Sequence, residues 1–65
     1  MKIIVNARPH EITAPTLADA LIELGFAGPA VATAVNGAFV PRNARDTTRL
    51  GEGDRVEVLA PMQGG

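Results

Sequence analysis

Residues 31–40 have the sequence Val31-Ala32-Thr33-Ala34-Val35-Asn36-Gly37-Ala38-Phe39-Val40, which carries the strongest local signal in the chain. Asn-Gly is typical of a two-residue type I′ turn, because both central positions of that turn need positive φ angles. We therefore predict a strand over 31–35, a tight turn at Asn36-Gly37 and a strand over 38–40. Pro41 ends the second strand, since proline has no backbone N–H to donate.

Working back toward the N-terminus, the chain opens on another short strand pattern. Lys2–Asn6 is rich in β-branched residues, which favour strands. Ala7–His10 contains Pro9, so we predict that these residues form the turn into a second strand over Glu11–Thr13. The N-terminus is therefore predicted to be a hairpin.

A helix is predicted between the two hairpins, from about Leu17 to Leu24. Thr16 is a suitable N-cap, and Asp19 at the third helical position makes a short-armed version of the capping box. Leucines at positions i, i+4 and i+7 from Leu17 form one apolar stripe. Gly25 fits the left-handed position just after a helix.

Beyond Pro41, residues 42–50 are polar and show no periodicity, so we predict an irregular crossing with one short helical turn. Gly51–Asp54 is a cluster of turn residues. Arg55–Ala60 is predicted to be the last strand, with its two valines on one face and Leu59 on the other.

This order of elements predicts an α+β fold: a β-grasp (ubiquitin-like) domain with a mixed sheet of about five strands and one main helix packed on one face. The first and last strands would be parallel neighbours at its centre, with Ile3, Val5, Val56 and Val58 facing the helix. We assign residues 1–60 to this domain and residues 61–65 to a flexible tail that ends in Gly-Gly.

Composition argues against several classes of function. The formal charge of −1 and the two aromatic residues give little basis for binding nucleic acid. There are no cysteines, which excludes disulfides and thiolate metal sites. No apolar run approaches the ~20 residues of a membrane span, and Met1 leads directly into a strand pattern, so we expect a soluble, cytoplasmic protein without a signal peptide.

Ordinary explanations are preferred for most of the polar residues. His10 lies in a predicted turn without the further ligands that a metal site needs, and Glu52 and Asp54 are explained by turn chemistry. Gly51-Glu52-Gly53 lacks the rest of a phosphate-binding or dinucleotide-binding motif. For the arginines at 42, 45 and 49 we favour a solubilising role, with Arg42 kept as a candidate for partner docking. We expect no catalytic residue and no metal site.

Two features are more distinctive. Pro61 separates the last strand from an extended segment in which Gly64 and Gly65 lack Cβ atoms and can pass through a narrow channel. Ile4 and Leu59 should emerge on the sheet face away from the helix, where they are candidates for a docking patch or ordinary exposed apolar residues.

These residues resemble the ThiS family, the ubiquitin-like sulfur carriers of thiamine biosynthesis. The resemblance spans the chain and rests on Ile3-Ile4-Val5-Asn6, Ala34-Val35-Asn36-Gly37 through Phe39-Val40-Pro41-Arg42, Leu50–Val58 and the final Gly64-Gly65. The Val-Pro-Arg segment after an Asn-led hairpin is the most family-specific of these.

The resemblance implies a carrier and not an enzyme. An ATP-dependent, E1-like activating protein would adenylate the carboxylate of Gly65, a sulfur-donor protein would convert it to a thiocarboxylate, and thiazole synthase would take the sulfur. ATP and Mg²⁺ would be used by the activating partner, and this chain would bind no cofactor of its own.

Three alternatives remain open at this point. The small subunit of molybdopterin synthase is similar in fold and ending, a ubiquitin-like modifier would form isopeptide bonds, and a plain β-grasp binding module would have an inert tail. Neither the thiazole nor the molybdopterin pathway can be chosen from the residues alone.

Overall fold

The helix-covered sheet at the centre of the molecule is built from strands that are each five residues or shorter. The computed structural model describes residues 1–26 and 31–59. Over these residues the elements are β1 (Lys2–Val5), β2 (Arg8–Glu11), α1 (Leu17–Glu23), β3 (Ala32–Val35), β4 (Ala38–Val40), a 3₁₀ helix (Arg42–Thr47) and β5 (Arg55–Leu59).

The strands form one sheet in the order β2-β1-β5-β3-β4 across the described residues. β1 and β5 are parallel neighbours, with Ile4 opposite Arg55 and Val5 opposite Val56. β5 is antiparallel to β3 on its other side. A mixed sheet with the first and last strands at its centre and a helix across one face is the predicted β-grasp, so the fold prediction is confirmed.

The first hairpin differs from the prediction. Its turn is the two-residue Asn6-Ala7, with φ angles of 50° and 69°, and not Ala7–His10. The second strand accordingly begins at Arg8 and ends at Glu11. Pro9 lies inside this strand because β2 is at the edge of the sheet, where a residue without an N–H need not break the ladder.

The second hairpin is confirmed. Asn36 and Gly37 have φ angles of 50° and 86°, the positive values that a type I′ turn requires. β3 begins at Ala32, one residue later than predicted, and β4 covers the predicted residues Ala38–Val40.

Helix α1 begins as predicted and ends one residue earlier. The Thr16 hydroxyl accepts a hydrogen bond from the Asp19 N–H at 3.3 Å, which confirms the N-cap. At the other end Gly25 has a φ of 88°, and the N–H groups of Gly25 and Phe26 donate to the carbonyls of Ile22 and Leu21. This pair of bonds is the Schellman motif, so the predicted role of Gly25 is confirmed.

The polar crossing between β4 and β5 contains a 3₁₀ helix and a buried arginine. Arg45 is 9% exposed; its Nε donates to the Thr33 hydroxyl at 3.1 Å and its Nη2 donates to the Val31 carbonyl. A solubilising role for Arg45 is therefore wrong, because the guanidinium fastens the crossing to β3. Arg42 and Arg49 are exposed, as that role requires.

The core lies between α1 and the sheet. Leu17, Ala20 and Leu21 of α1 are buried in one cluster with the four predicted sheet residues, while Leu24 is partly buried against it. The cluster also contains Ile12, Ala14 and Val40. The predicted facing of β1 and β5 toward the helix is therefore confirmed.

Candidate functional site

The sheet face opposite α1, called the open face below, carries the candidate docking residues. Alternation along β5 places Val56 and Val58 in the core and Arg55, Glu57 and Leu59 on the open face. In residues 1–26 and 31–59, no helix covers this face.

Ile4 and Leu59 both belong to the open face but lie at opposite ends of it. Ile4 is half-buried and pairs with Arg55 at the start of β5, whereas Leu59 is at the end of β5 and is 72% exposed. Ile4 borders a small hollow with Arg55 and Glu57. The register thus separates the two residues that the sequence analysis grouped in one patch.

Leu59 instead borders an apolar groove of about 400 Å³ that extends toward β4. Phe39, Ala34 and Glu57 form one row across β4, β3 and β5, and Ala32 lies opposite Leu59. Phe39 is 69% exposed, which is unusual for a large aromatic side chain. The apolar groove is defined here by Ala32, Ala34, Phe39 and Leu59.

Sequence reasoning did not single out Phe39 as a candidate site residue. A usable signal was present, since Val40 ends a short strand whose alternation turns Phe39 to the opposite face. The burial pattern of β4, exposed at Ala38 and Phe39 and buried at Val40, agrees with this alternation in its last two positions.

Arg42 lies at the same end of the sheet as Leu59. β3 pairs Thr33 with both Val40 of β4 and Val58 of β5, so the ends of β4 and β5 are aligned. Arg42 follows β4 by two residues and is exposed. An exposed cation therefore lies at the end of the sheet where β5 finishes.

The end of β5 is also held by a residue that sequence reasoning did not assign to the site. The Asn6 side-chain amide accepts a hydrogen bond from the Val58 N–H at 2.9 Å and donates one to the Val58 carbonyl at 3.0 Å. We call this pair of bonds the Asn6 clamp. Its place one residue before Leu59 connects the first hairpin directly to the end of the described chain.

The predicted tail residues Gly64 and Gly65 lie outside the described residues, as does the predicted domain boundary at residue 60. Their roles stay predictions. The described chain ends at Leu59, on the open face and beside the apolar groove.

His10 lies in strand β2 and not in a turn, whereas the carboxylates at 52 and 54 have hydrogen-bond partners. Asp54 accepts a hydrogen bond from the Gly51 N–H at 2.7 Å, and Glu52 accepts one from the Lys2 N–H at 3.0 Å. Asp54 therefore acts within its own turn, as predicted, whereas Glu52 joins the turn to β1. Over the described ranges, no three His, Asp or Glu side chains converge closely enough to hold a metal ion.

None of the helices in the described part of the chain is long and apolar enough to cross a membrane.

Together, the mixed five-strand sheet, the helix on one face and the open face beside the end of β5 define a small ubiquitin-like β-grasp protein. The ThiS family model matches residues 3–65, and the chain belongs to the ThiS family. No match was found among curated proteins.

Two solved structures from Geobacter metallireducens are similar over the whole chain. One is the crystal structure of its thiamine biosynthesis protein (ThiS), whose sequence is 32% identical to this chain. The two align with a TM-score of 0.84 over 100% of both chains. The NMR solution structure of a thiamine biosynthesis protein from the same organism is 32% identical with a TM-score of 0.80, over 100% of this chain and 88% of that one.

Proposed function

We propose that this protein is a sulfur carrier in thiamine biosynthesis and that the carboxylate of Gly65 carries the sulfur. The observation that carries the proposal is the ThiS match, which extends through the final Gly64-Gly65 to residue 65. The similarity to the Geobacter metallireducens thiamine biosynthesis protein over its full length supports it.

The chemistry begins with activation of the Gly65 carboxylate. A carboxylate is a poor acyl donor, because its oxygen is a poor leaving group. An ATP-dependent activating enzyme joins the carboxylate to the α-phosphate of ATP and releases pyrophosphate. Mg²⁺ at that enzyme neutralises the phosphates during transfer.

Sulfur then replaces the activated oxygen. A sulfur nucleophile from a donor protein attacks the carbonyl carbon of Gly65, and AMP leaves with the original carboxylate oxygen. When the attacking sulfur is the outer sulfur of a donor persulfide, the product is an acyl disulfide. A thiol cleaves its S–S bond and leaves as a disulfide with the donor, and the carrier keeps a terminal thiocarboxylate, which supplies sulfur to thiazole synthase. The carrier acts throughout as a substrate of its partners and not as a catalyst.

Access to the activating site follows from the tail composition. Residues 61–65 in extended form reach roughly 17 Å, which suffices to enter a cleft in a partner. Gly64 and Gly65 add no side-chain width to the end that must enter. Because activation consumes ATP, we place this reaction in the cytoplasm.

The open face supplies the proposed docking surface for the activating enzyme. Leu59 and the apolar groove lie beside the end of β5, so a partner that covers them also surrounds the start of the tail. Ile4 and the exposed Arg42 contribute further contacts at the two ends of the face. An exposed apolar centre with charged residues nearby is typical of a protein interface.

The test is reconstitution with a ThiS-type activating enzyme, ATP and a sulfide source, followed by intact-mass measurement of the carrier. The expected result is the mass increase of one oxygen-for-sulfur exchange, which depends on ATP. Absence of that exchange would count against the proposal. A covalent adduct to lysine of another protein would identify a modifier instead.

A chain without Gly65 serves as the matched control. Its fold should be unchanged, because all the described core residues lie between Ile3 and Val58, but it should not be adenylated. Unchanged adenylation of the shortened chain would refute the assignment of Gly65.

A further inference from the structure

Two asparagines hold opposite ends of strand β5. At the start of the strand, the Asn36 amide accepts a hydrogen bond from the Arg55 N–H at 3.0 Å and donates to the Asp54 carboxylate at 3.1 Å. At the end of the strand, the Asn6 clamp joins both backbone groups of Val58. Both asparagines have a φ of 50° and open a two-residue turn.

The Asn6 amide takes the place of a peptide unit of β1. The paired register of β1 and β5 ends at Val5 and Val56, and the Asn6 N–H donates to the Val56 carbonyl at 3.0 Å. The backbone then turns away at Asn6. A side-chain amide has one carbonyl and N–H donors like a peptide group, so it extends the parallel ladder to Val58.

This extension matters because of where it lies. Leu59 pairs with Ala32 of β3, so β5 already has a partner on that side. The Asn6 clamp provides the partner on the other side, and β5 is held from both sides up to Val58. The last described residue, Leu59, therefore lies at a strand end that is held on both sides up to Val58.

We propose that Asn6 is a positioning residue that fixes the direction in which the tail leaves the sheet and thereby sets the rate at which Gly65 is activated. The inference rests on the proposed function and adds a residue to it. Misplacing a reacting group by about 1 Å can cost on the order of 100-fold in rate, so a frayed end of β5 would slow the reaction.

The matched pair of asparagines separates this role from ordinary support of the fold. Asn6→Gly and Asn36→Gly each remove one side-chain amide that is hydrogen-bonded to an end of β5. Glycine tolerates the positive φ at both positions. The two variants should lose similar stability. They differ in which end of β5 is released.

The first readout is hydrogen exchange at the Val58 amide, which reports the clamp without any partner. Exchange should accelerate by roughly tenfold in Asn6→Gly through local opening and stay close to native in Asn36→Gly. Unchanged Val58 exchange in Asn6→Gly would overturn the inference at its first step.

The second readout is the kinetics of adenylation by the activating enzyme, with the carrier as the varied substrate. Asn6→Gly should lower kcat by roughly tenfold with a smaller change in KM, because Ala32, Ala34 and Phe39 of the groove lie on strands that the Asn6 clamp does not contact. Asn36→Gly should keep the native kcat. Equal loss of kcat in both variants would show that Asn6 acts only through the fold.

Asn6 also borders the apolar groove, so KM has to be measured separately. A rise in KM with unchanged kcat would make Asn6 a docking contact and overturn the positioning role. Should Asn6→Gly fail to fold, Asn6→Asp keeps the side-chain size and removes the donor to Val58, and the same loss of kcat is expected.

If the proposed function is wrong, these kinetics give a different result. In that case the native chain itself is not adenylated, and the positioning role falls with it. A native chain that turns over normally beside an Asn6→Gly variant with native kcat refutes the positioning role alone.

Discussion

On the helix-covered face of the sheet, Ile3 and Val56 are 0% and 2% exposed, whereas on the open face Phe39 and Leu59 are 69% and 72% exposed. The two faces alternate along the same short strands. The covered face accounts for the stability of the chain, because its side chains form the core with α1. The apolar residues of the open face are not needed for that core, which leaves them available to a partner.

The largest expected effect on stability comes from a substitution in the core between α1 and the covered face. Leu17→Ala should lower the free energy of unfolding by roughly 2–5 kcal/mol, since it removes a fully buried side chain and leaves a cavity. Urea unfolding followed by circular dichroism measures the loss. In a domain of this size such a loss is a large part of the total stability.

The matched control is Ile22→Ala on the same helix. Ile22 is 65% exposed, so its truncation should change stability by no more than about 0.5 kcal/mol. If Ile22→Ala costs as much as Leu17→Ala, the distinction between core and surface on α1 is wrong.

A smaller effect is expected at the buried arginine. Arg45→Ala should cost roughly 1–3 kcal/mol of unfolding free energy, because the Thr33 hydroxyl and the Val31 carbonyl lose a donor where water has little access. Arg42→Ala, at an exposed position of the same 3₁₀ helix, should stay within about 0.5 kcal/mol. If both variants lose the same unfolding free energy, Arg45 has only a solubilising role.

The smallest effect on folding and a clear effect on binding are expected on the open face. Leu59→Asp should leave the unfolding free energy within about 1 kcal/mol and weaken binding to the activating enzyme by roughly tenfold. Calorimetry or surface plasmon resonance measures the affinity. The introduced carboxylate would have to be buried without a partner in the interface.

Ile22→Asp is the control for this prediction. It also places a charge at an exposed apolar position, but on the helix and not on the open face. Its affinity for the activating enzyme should equal that of the native chain. Native affinity for Leu59→Asp, or an equal loss for Ile22→Asp, would make Leu59 an ordinary exposed residue.

The two turns show how far sequence reasoning reaches. Asn36-Gly37 was predictable because glycine at the second position is the local requirement of a type I′ turn. Asn6-Ala7 forms the same kind of turn with Ala7 at a φ of 69°, which alanine disfavours by roughly 1–2 kcal/mol. Long-range contacts, among them the Asn6 clamp to Val58, offset that cost, and no local pattern contains them.

Arg45 illustrates the same limit for a charged residue. A polar segment without periodicity gives no sign that one of its arginines is buried against β3. A solubilising role is predicted because charged residues are usually exposed. Arg45 is buried instead, because its guanidinium is hydrogen-bonded to Thr33 and Val31. The helix cap at Thr16 and the Schellman motif at Gly25 were predictable because both depend on contacts within a few residues.

In the candidate site, too, local sequence patterns predict some features and long-range contacts determine the others. Leu59 on the open face was predictable from strand alternation, but its neighbours in the apolar groove depend on the register between β5, β3 and β4. The sequence predicts that Ile4 and Leu59 lie on the same face. It does not predict the register of β1 against β5, which places them at opposite ends of that face. The assignment of Gly65 rests on family membership, since Gly65 lies outside the described residues.

The sulfur is expected on Gly65, and fragmentation mass spectrometry of the reconstituted carrier tests this most directly. After incubation with the activating enzyme, ATP and sulfide, the oxygen-for-sulfur exchange should appear in the fragment that contains Gly65 and should be absent from the chain without Gly65. No exchange in the native chain, or sulfur located on any other residue, would contradict the account.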